Sequence, residues 1–244
     1  MIRWVAELPP TLYSYCIPID DGAAPNPYWN VCTLAICKPV IRRTARVGDW
    51  IAGTGAKSSP IGDIAGTLVY AMKVTGVMSM PEYDAWTLEH LPEKVPAWGS
   101  RDNRRRLGDS IYDFSSEPPR QRPSVHGPGN IQTDLSGENV LLSDHFYYFG
   151  NKPVPLPDQL LSIVRQGQGH RSWSNQPHAG DFLSWLEALP LHLGLHGSPQ
   201  LDLFGSDGLI DSCAETRAKC AEEDEVVGEE AEPDSEPNTT HMGQ

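Results

Sequence analysis

Two Gly-Asp steps, Gly48-Asp49 and Gly108-Asp109, place carboxylates at the start of stretches that read as strands. Paired carboxylates can divide general acid and base work or hold a divalent cation. Gly-Asp is equally a turn signature, with the carboxylate bonded to nearby backbone amides. His145 and His170 offer a proton carrier near neutral pH, or each makes a structural hydrogen bond. Cys32 with a histidine would form a thiol nucleophile. The expected catalytic set is Asp49, Asp109 and His170.

Cationic residues come in bunches: Lys38, Arg42, Arg43 and Arg46, then Arg101, Arg104, Arg105 and Arg106, then Arg120 and Arg122. Guanidinium forks pair bidentately with phosphate; a solvated surface with local ion pairs is the competing reading. The Asn26 amide, between Pro25 and Pro27, suits a base edge or caps its own loop. Trp50, Tyr70, Tyr112, Tyr147 and Tyr148 can stack on an extruded base or fill a core, and two of the five are expected in an exposed pocket. The expected nucleotide-binding or nucleic-acid-binding set is Asn26, Lys38, Arg42, Arg43, Trp50 and Tyr112. Asn26, Asp49, Asp109 and Tyr112 would line a base-sized pocket with His170 at its rim. The chain contains no HxE…CxxC deaminase pattern, no GxxxxGK[ST] loop and no GxGxxG string, which disfavours those reaction classes. Cys32 and Cys37 lack a second Cys/His pair at zinc spacing. No metal site is indicated, and the cofactor stays unknown.

The elements that must position these residues begin with a strand over 12–19. A rigid Pro-rich loop follows at 23–27, then a short buried strand over 31–37. Val47 to Ile51 reads as a turn entering a strand, with Gly53, Gly55, Gly62 and Gly66 marking a flexible loop. Thr67 to Val77 is the most strand-like run. Ser79-Met80-Pro81-Glu82 has capping-box spacing and predicts a helix over about 80–90. Residues 92–138 show little periodicity, and only 109–114 reads as ordered, as a short strand. Strands are expected at 140–142 and 146–149, and helices around 160–164 and 182–189. The fold class expected is α+β: a mixed or antiparallel, partly closed sheet with helices toward the C-terminal side.

The chain has 244 residues and a formal charge of −13. Residues 1–205 carry 17 Lys/Arg and 20 Asp/Glu, a net of 17 − 20 = −3, whereas 206–244 carry 2 and 12, a net of 2 − 12 = −10. The expected organisation is therefore one α+β domain over 1–205 and a disordered acidic tail over 206–244. A near-neutral body leaves room for a nucleic-acid-facing patch despite the acidic total. No run of about 18 apolar residues suggests a membrane span, and Met1–Glu7 lacks a secretory pattern. Five cysteines, an odd and sparse set, suit reduced thiols in a cytoplasmic protein.

Several strings occur in an order that resembles the second of the nucleotide modification associated domains. They are Ser14-Tyr15, Gly22 to Pro27, Cys32 to Ala35 with Cys37-Lys38-Pro39, Ile41-Arg42-Arg43 and Gly48 to Ile51 with Gly53. Leu68 to Met72, Gly108 to Tyr112, Leu142-Ser143 with Phe146 to Gly150, and Gly167-Gln168-Gly169-His170 complete the set. The resemblance covers about 11–190, with Ser110 where the family pattern has Asn. It implies a phage or bacterial domain linked by genomic neighbourhood to DNA base modification, with no assigned reaction. Gly48-Asp49-Trp50 before a strand is also similar to PUA-like barrels. The function expected is nucleotide or nucleic-acid binding in a base-modification pathway, with base-modification enzymes as further partners and no membrane. The alternatives are a protein-interaction module that uses the acidic tail, and a base-modifying enzyme with Asp acid–base groups. Deleting 206–244 separates the first two: tighter nucleic-acid binding marks a self-shielding tail, and loss of a protein partner in a pull-down marks a docking tail.

Overall fold

β-Branched and aromatic residues concentrate in two runs that become central strands of the larger sheet. The computed structural model describes residues 9–204. The acidic segment 206–244 and the boundary preceding it lie outside the described residues. The first half contains β1 (Leu12–Ile17), β2 (Cys32–Leu34), α1 (Pro39–Thr44), β3 (Trp50–Gly55), β4 (Thr67–Lys73), β5 (Gly76–Ser79) and α2 (Met80–His90). Then come α3 (Asn103–Arg106), β6 (Tyr112–Asp113), β7 (Arg120–Gln121), α4 (Ile131–Ser136), β8 (Asn139–Ser143) and β9 (His145–Tyr148). The last are β10 (Val154–Pro155), β11 (His170–Arg171), α5 (Ala179–Ala188) and β12 (Gly194–Leu195).

The larger sheet runs β11-β1-β3-β4-β9-β12, with β10 also on β4. β1 is parallel to β3 across the crossover that holds β2 and α1, and β12 is parallel to β9. The other pairs are antiparallel. The smaller sheet, β2-β8-β5, is antiparallel. One ribbon links the sheets, because β4 continues into β5 while its neighbour β8 continues into β9. At the bend Thr75 N–H donates to Leu142 O at 2.9 Å, and Asp144 N–H donates to Thr75 Oγ1 at 3.2 Å. The fold is α+β with mixed and antiparallel sheets, as expected.

Period-two alternation divides the core. Leu12, Trp50, Ala52 and Ala71 face Leu160, Ile163 and the α5 residues Phe182 and Leu186. Tyr13, Tyr15, Ile51 and Met72 face the other way, against Cys32, Leu34 and Leu141 of the smaller sheet. A third cluster packs Met80 and Tyr83 of α2 on Ile36, Ile111, Tyr112 and Val140.

The α2 capping box forms as its spacing predicts. Gly53 and Gly55, expected in a loop, stand in β3 instead. A Cβ at Gly53 would meet Ile17 and Tyr70 side-chain atoms at 2.4 Å, so large neighbours occupy the space a side chain would need. The run expected as a single strand over 67–77 divides at the bend into β4 and β5. The basic stretch after Pro39 is helical, and so is Asn103–Arg106, where the Asp102 carboxylate accepts the Arg104 N–H at 3.0 Å. Leu160 to Ile163 lie in a 3-10 helix, and α5 forms where expected, while four further α-helices interrupt the earlier strands.

Candidate functional site

Lys94 closes a 3-10 turn, Pro92–Lys94, with its whole side chain inside the protein. Its ammonium donates to Asn26 O at 2.9 Å, Asn26 Oδ1 at 2.7 Å, Val31 O at 2.8 Å and Thr33 Oγ1 at 2.9 Å. Thr33 Oγ1 in turn donates to Asp109 Oδ2 at 2.5 Å, and Tyr83 OH donates to Asp109 Oδ1 at 2.8 Å. Burial lowers the Lys94 ammonium to about 8 against the opposing pull of Asp109. Burial also raises the Asp109 carboxyl, with Lys94, Thr33 and Tyr83 pulling it back. Asn26 Nδ2 donates to Leu107 O at 2.8 Å. Asn26 and Asp109 are thus brought together as an internal brace. The cavity beside Tyr83, Asp109 and Tyr112 measures about 10 Å³, which is space for a single water and far short of a base. Ser110 keeps a polar contact, accepting from Thr87 Oγ1 at 2.9 Å.

Arg42, expected at a phosphate, is fully buried. Nε donates to Cys37 O at 2.8 Å, Nη1 to Ala35 O at 2.8 Å and Asn139 O at 3.0 Å, and Nη2 to Asp134 O. Those bonds leave the fork no face for an anion. Gly137 permits the approach, since a Cβ there would stand 2.1 Å from Nη2. The Asp134 carboxylate accepts Cys37 N–H at 3.0 Å and Tyr112 OH at 2.8 Å, and it pairs with His126 Nδ1 at 2.6 Å. Tyr112 is therefore committed to a structural bond. Arg43, by contrast, is exposed and donates to Ser136 O at 2.6 Å.

Asp49 follows the turn reading: its oxygens accept Thr11 N–H and Arg46 N–H, each at 2.8 Å. Asp49 and Asp109 share no hydrogen-bond partner, so no carboxylate pair forms. Trp50, Tyr70, Tyr112, Tyr147 and Tyr148 are all buried, none more than 7% exposed, so the expected pair of exposed aromatics is absent. Trp50 packs edge-on to His145 at 5.4 Å. His170 pairs with Tyr15 at the sheet edge and lies tilted against the Tyr13 ring. Cys32 is sealed in the core, and burial pushes its thiol to about 12.

The open concavity lies elsewhere. A cleft of about 640 Å³ is bounded by the end of β1 at Cys16 and Pro18, the 55–58 turn, Gly66 and the 161–168 segment, with Lys38 projecting into it. Lys38, Lys57 and Arg165 line this cleft, and among the described residues no carboxylate does. Lys38 Nζ stands 5.0 Å from the Tyr15 ring centroid, a cation–π distance. Arg165 Nε donates to Gln168 O, which curls the glycine-containing 165–168 segment around the wall.

A family model described as nucleotide modification associated domain 2 matches residues 9–206. The chain belongs to this family. No curated protein and no solved structure matches the chain significantly. Membership associates the chain with nucleotide modification. The family strings now have places. Asn26 braces Lys94, Cys37-Lys38-Pro39 forms the turn beside the cleft, and Gly167-Gln168 forms the cleft wall. Sequence reasoning missed Lys94, Lys57, Arg165, His126 and Asp134. Four of these meet family strings in space: Lys94 at Asn26, Asp134 and His126 at Cys37, and Arg165 at Gln168; His126 and Asp134 lie in the stretch without periodicity, which hid them.

Lys94→Met is expected to lower unfolding free energy by about 3–5 kcal/mol in urea titrations, because it takes the cation away from the buried Asp109 carboxylate and the donor from four acceptors. Gly137→Ala is expected to cost about 1–3 kcal/mol. The Arg42 fork, bonded to four carbonyls, has nowhere to retreat.

Proposed function

We propose that the protein binds a nucleotide, or one nucleotide unit of a nucleic acid, in the Lys38–Lys57–Arg165 cleft and acts in a DNA base-modification pathway. The observation that carries this reading is the lining: three cations converge on about 640 Å³, in a chain of the nucleotide modification family. The cations suit phosphate, and Arg165 offers the fork geometry that pairs bidentately with it. Ala56, Leu161 and Val164 supply an apolar wall against which a base ring can lie.

The test is a binding titration of the full chain with nucleoside mono- and triphosphates and with single- and double-stranded DNA, across 50–200 mM salt. Affinity is expected to fall with salt, with a slope of about −0.7 to −0.9 per phosphate contacted. Lys38→Ala with Lys57→Ala is expected to weaken binding at least tenfold and flatten that slope, while Arg43→Ala, outside the cleft, leaves both unchanged. Equal affinity for the wild type and the double variant would overturn the reading.

A further inference from the structure

Consecutive residues Cys37 and Lys38 both adopt left-handed backbone, with φ of 57° and 44°. Non-glycine residues in that region carry strain of about 1–2 kcal/mol each and persist only where surrounding bonds enforce them. Here Asp134 Oδ1 accepts the Cys37 amide and Arg42 Nε donates to the Cys37 carbonyl. The turn sends Lys38 into the cationic cleft and turns Cys37 toward His126, whose Nε2 is 3.5 Å from Sγ. On its far side His126 Nδ1 is 2.6 Å from Asp134 Oδ2. Thiol, imidazole and carboxylate stand in series, the arrangement of a nucleophile, its proton carrier and the group that orients it.

We infer that Cys37, His126 and Asp134 form a second, covalent site that accepts an acyl group from an ester, thioester or amide. Sγ attacks the acyl carbon, forming an S–C bond. The C–O, C–S or C–N bond of the donor breaks, and the leaving group takes the proton from His126 Nε2. Water then attacks the thioester carbon and gives a proton to His126, and the bond to Sγ breaks to return the thiolate and the free acid. Asp134 acts as a positioning residue through the imidazole.

The surroundings suit this role. Burial would lower His126, but Asp134 outweighs it and holds the imidazole protonated up to about 10, so a cation faces Sγ at neutral pH. The other described cysteines are suppressed: burial raises Cys16 and takes Cys32 to about 12. The charged and titratable groups facing the triad are Arg42 of α1, Tyr112 of β6, Tyr15 of β1 and the neighbouring Lys38. Cys37 is half-buried, whereas His126 and Asp134 are buried.

The test treats the full chain with p-nitrophenyl acetate and locates the acetyl group by peptide mass mapping. Iodoacetamide alkylation of each cysteine across pH 5–9 gives a second reading that needs no variant. Expected are acetylation at Cys37, and alkylation of Cys37 at pH 6.5 at least tenfold faster than that of Cys16. His126→Gln is expected to slow both at Cys37 by about a hundredfold, and Cys37→Ala to abolish the acetylation. Alkylation of Cys37 no faster than that of Cys16 in the wild type, or an acetyl group spread over other residues, would overturn the inference. Because the readout is at Cys37, the result is independent of whether the cleft binds nucleotide.

Discussion

The Asp134 carboxylate is the constraint on which this architecture turns. Three chain segments far apart in sequence depend on it: the Cys37 amide, the Tyr112 hydroxyl and the His126 ring. A buried carboxylate carries a large desolvation cost that only hydrogen bonds and nearby cations offset. Here both are present, and the net effect of His126 and Arg42 is to hold the Asp134 carboxyl below its ordinary range despite burial. Arg42 meets the same requirement from the cationic side, using carbonyls rather than a carboxylate fork as acceptors. Buried charge of this kind contributes less to stability than to uniqueness: few other packings satisfy so many fixed donors and acceptors at once.

The Lys94 brace solves a different problem. The segment from Asn26 to Thr33 leaves and re-enters the core with little regular structure, joined to itself by one bridge between Asn26 and Thr33. An ammonium inside that loop gathers two carbonyls, an amide oxygen and a hydroxyl. Asp109 balances the charge through Thr33. Several strings shared with the family thus serve folding. The cleft, with cations from three unconnected segments, is where the chain faces outward.

Much of the framework was legible because local chemistry agrees with tertiary structure there. β1, β4, α2 and α5 carry strand alternation, a capping box or helical spacing, and each forms where those signals place it. The aromatic strand residues were legible as apolar but not as core or surface, since alternation does not say which face is wet. Arg42 shows the limit most clearly. An arginine among other basic residues reads as surface charge, and its burial depends on carbonyls contributed by 35, 37, 134 and 139, which no local pattern brings together. Likewise α4 is a single short turn of helix whose role is to deliver one carboxylate, and so it leaves no periodic trace.

Gly137 adopts ordinary right-handed backbone, so its lack of a side chain answers a demand for volume rather than for conformation. The space it leaves is filled by the guanidinium of a residue almost a hundred positions earlier. Positions 42 and 137 are therefore a matched pair: a lineage that shortens the first gains room at the second, and one that enlarges the second must first give up the first. Drift at either is tied to drift at the other.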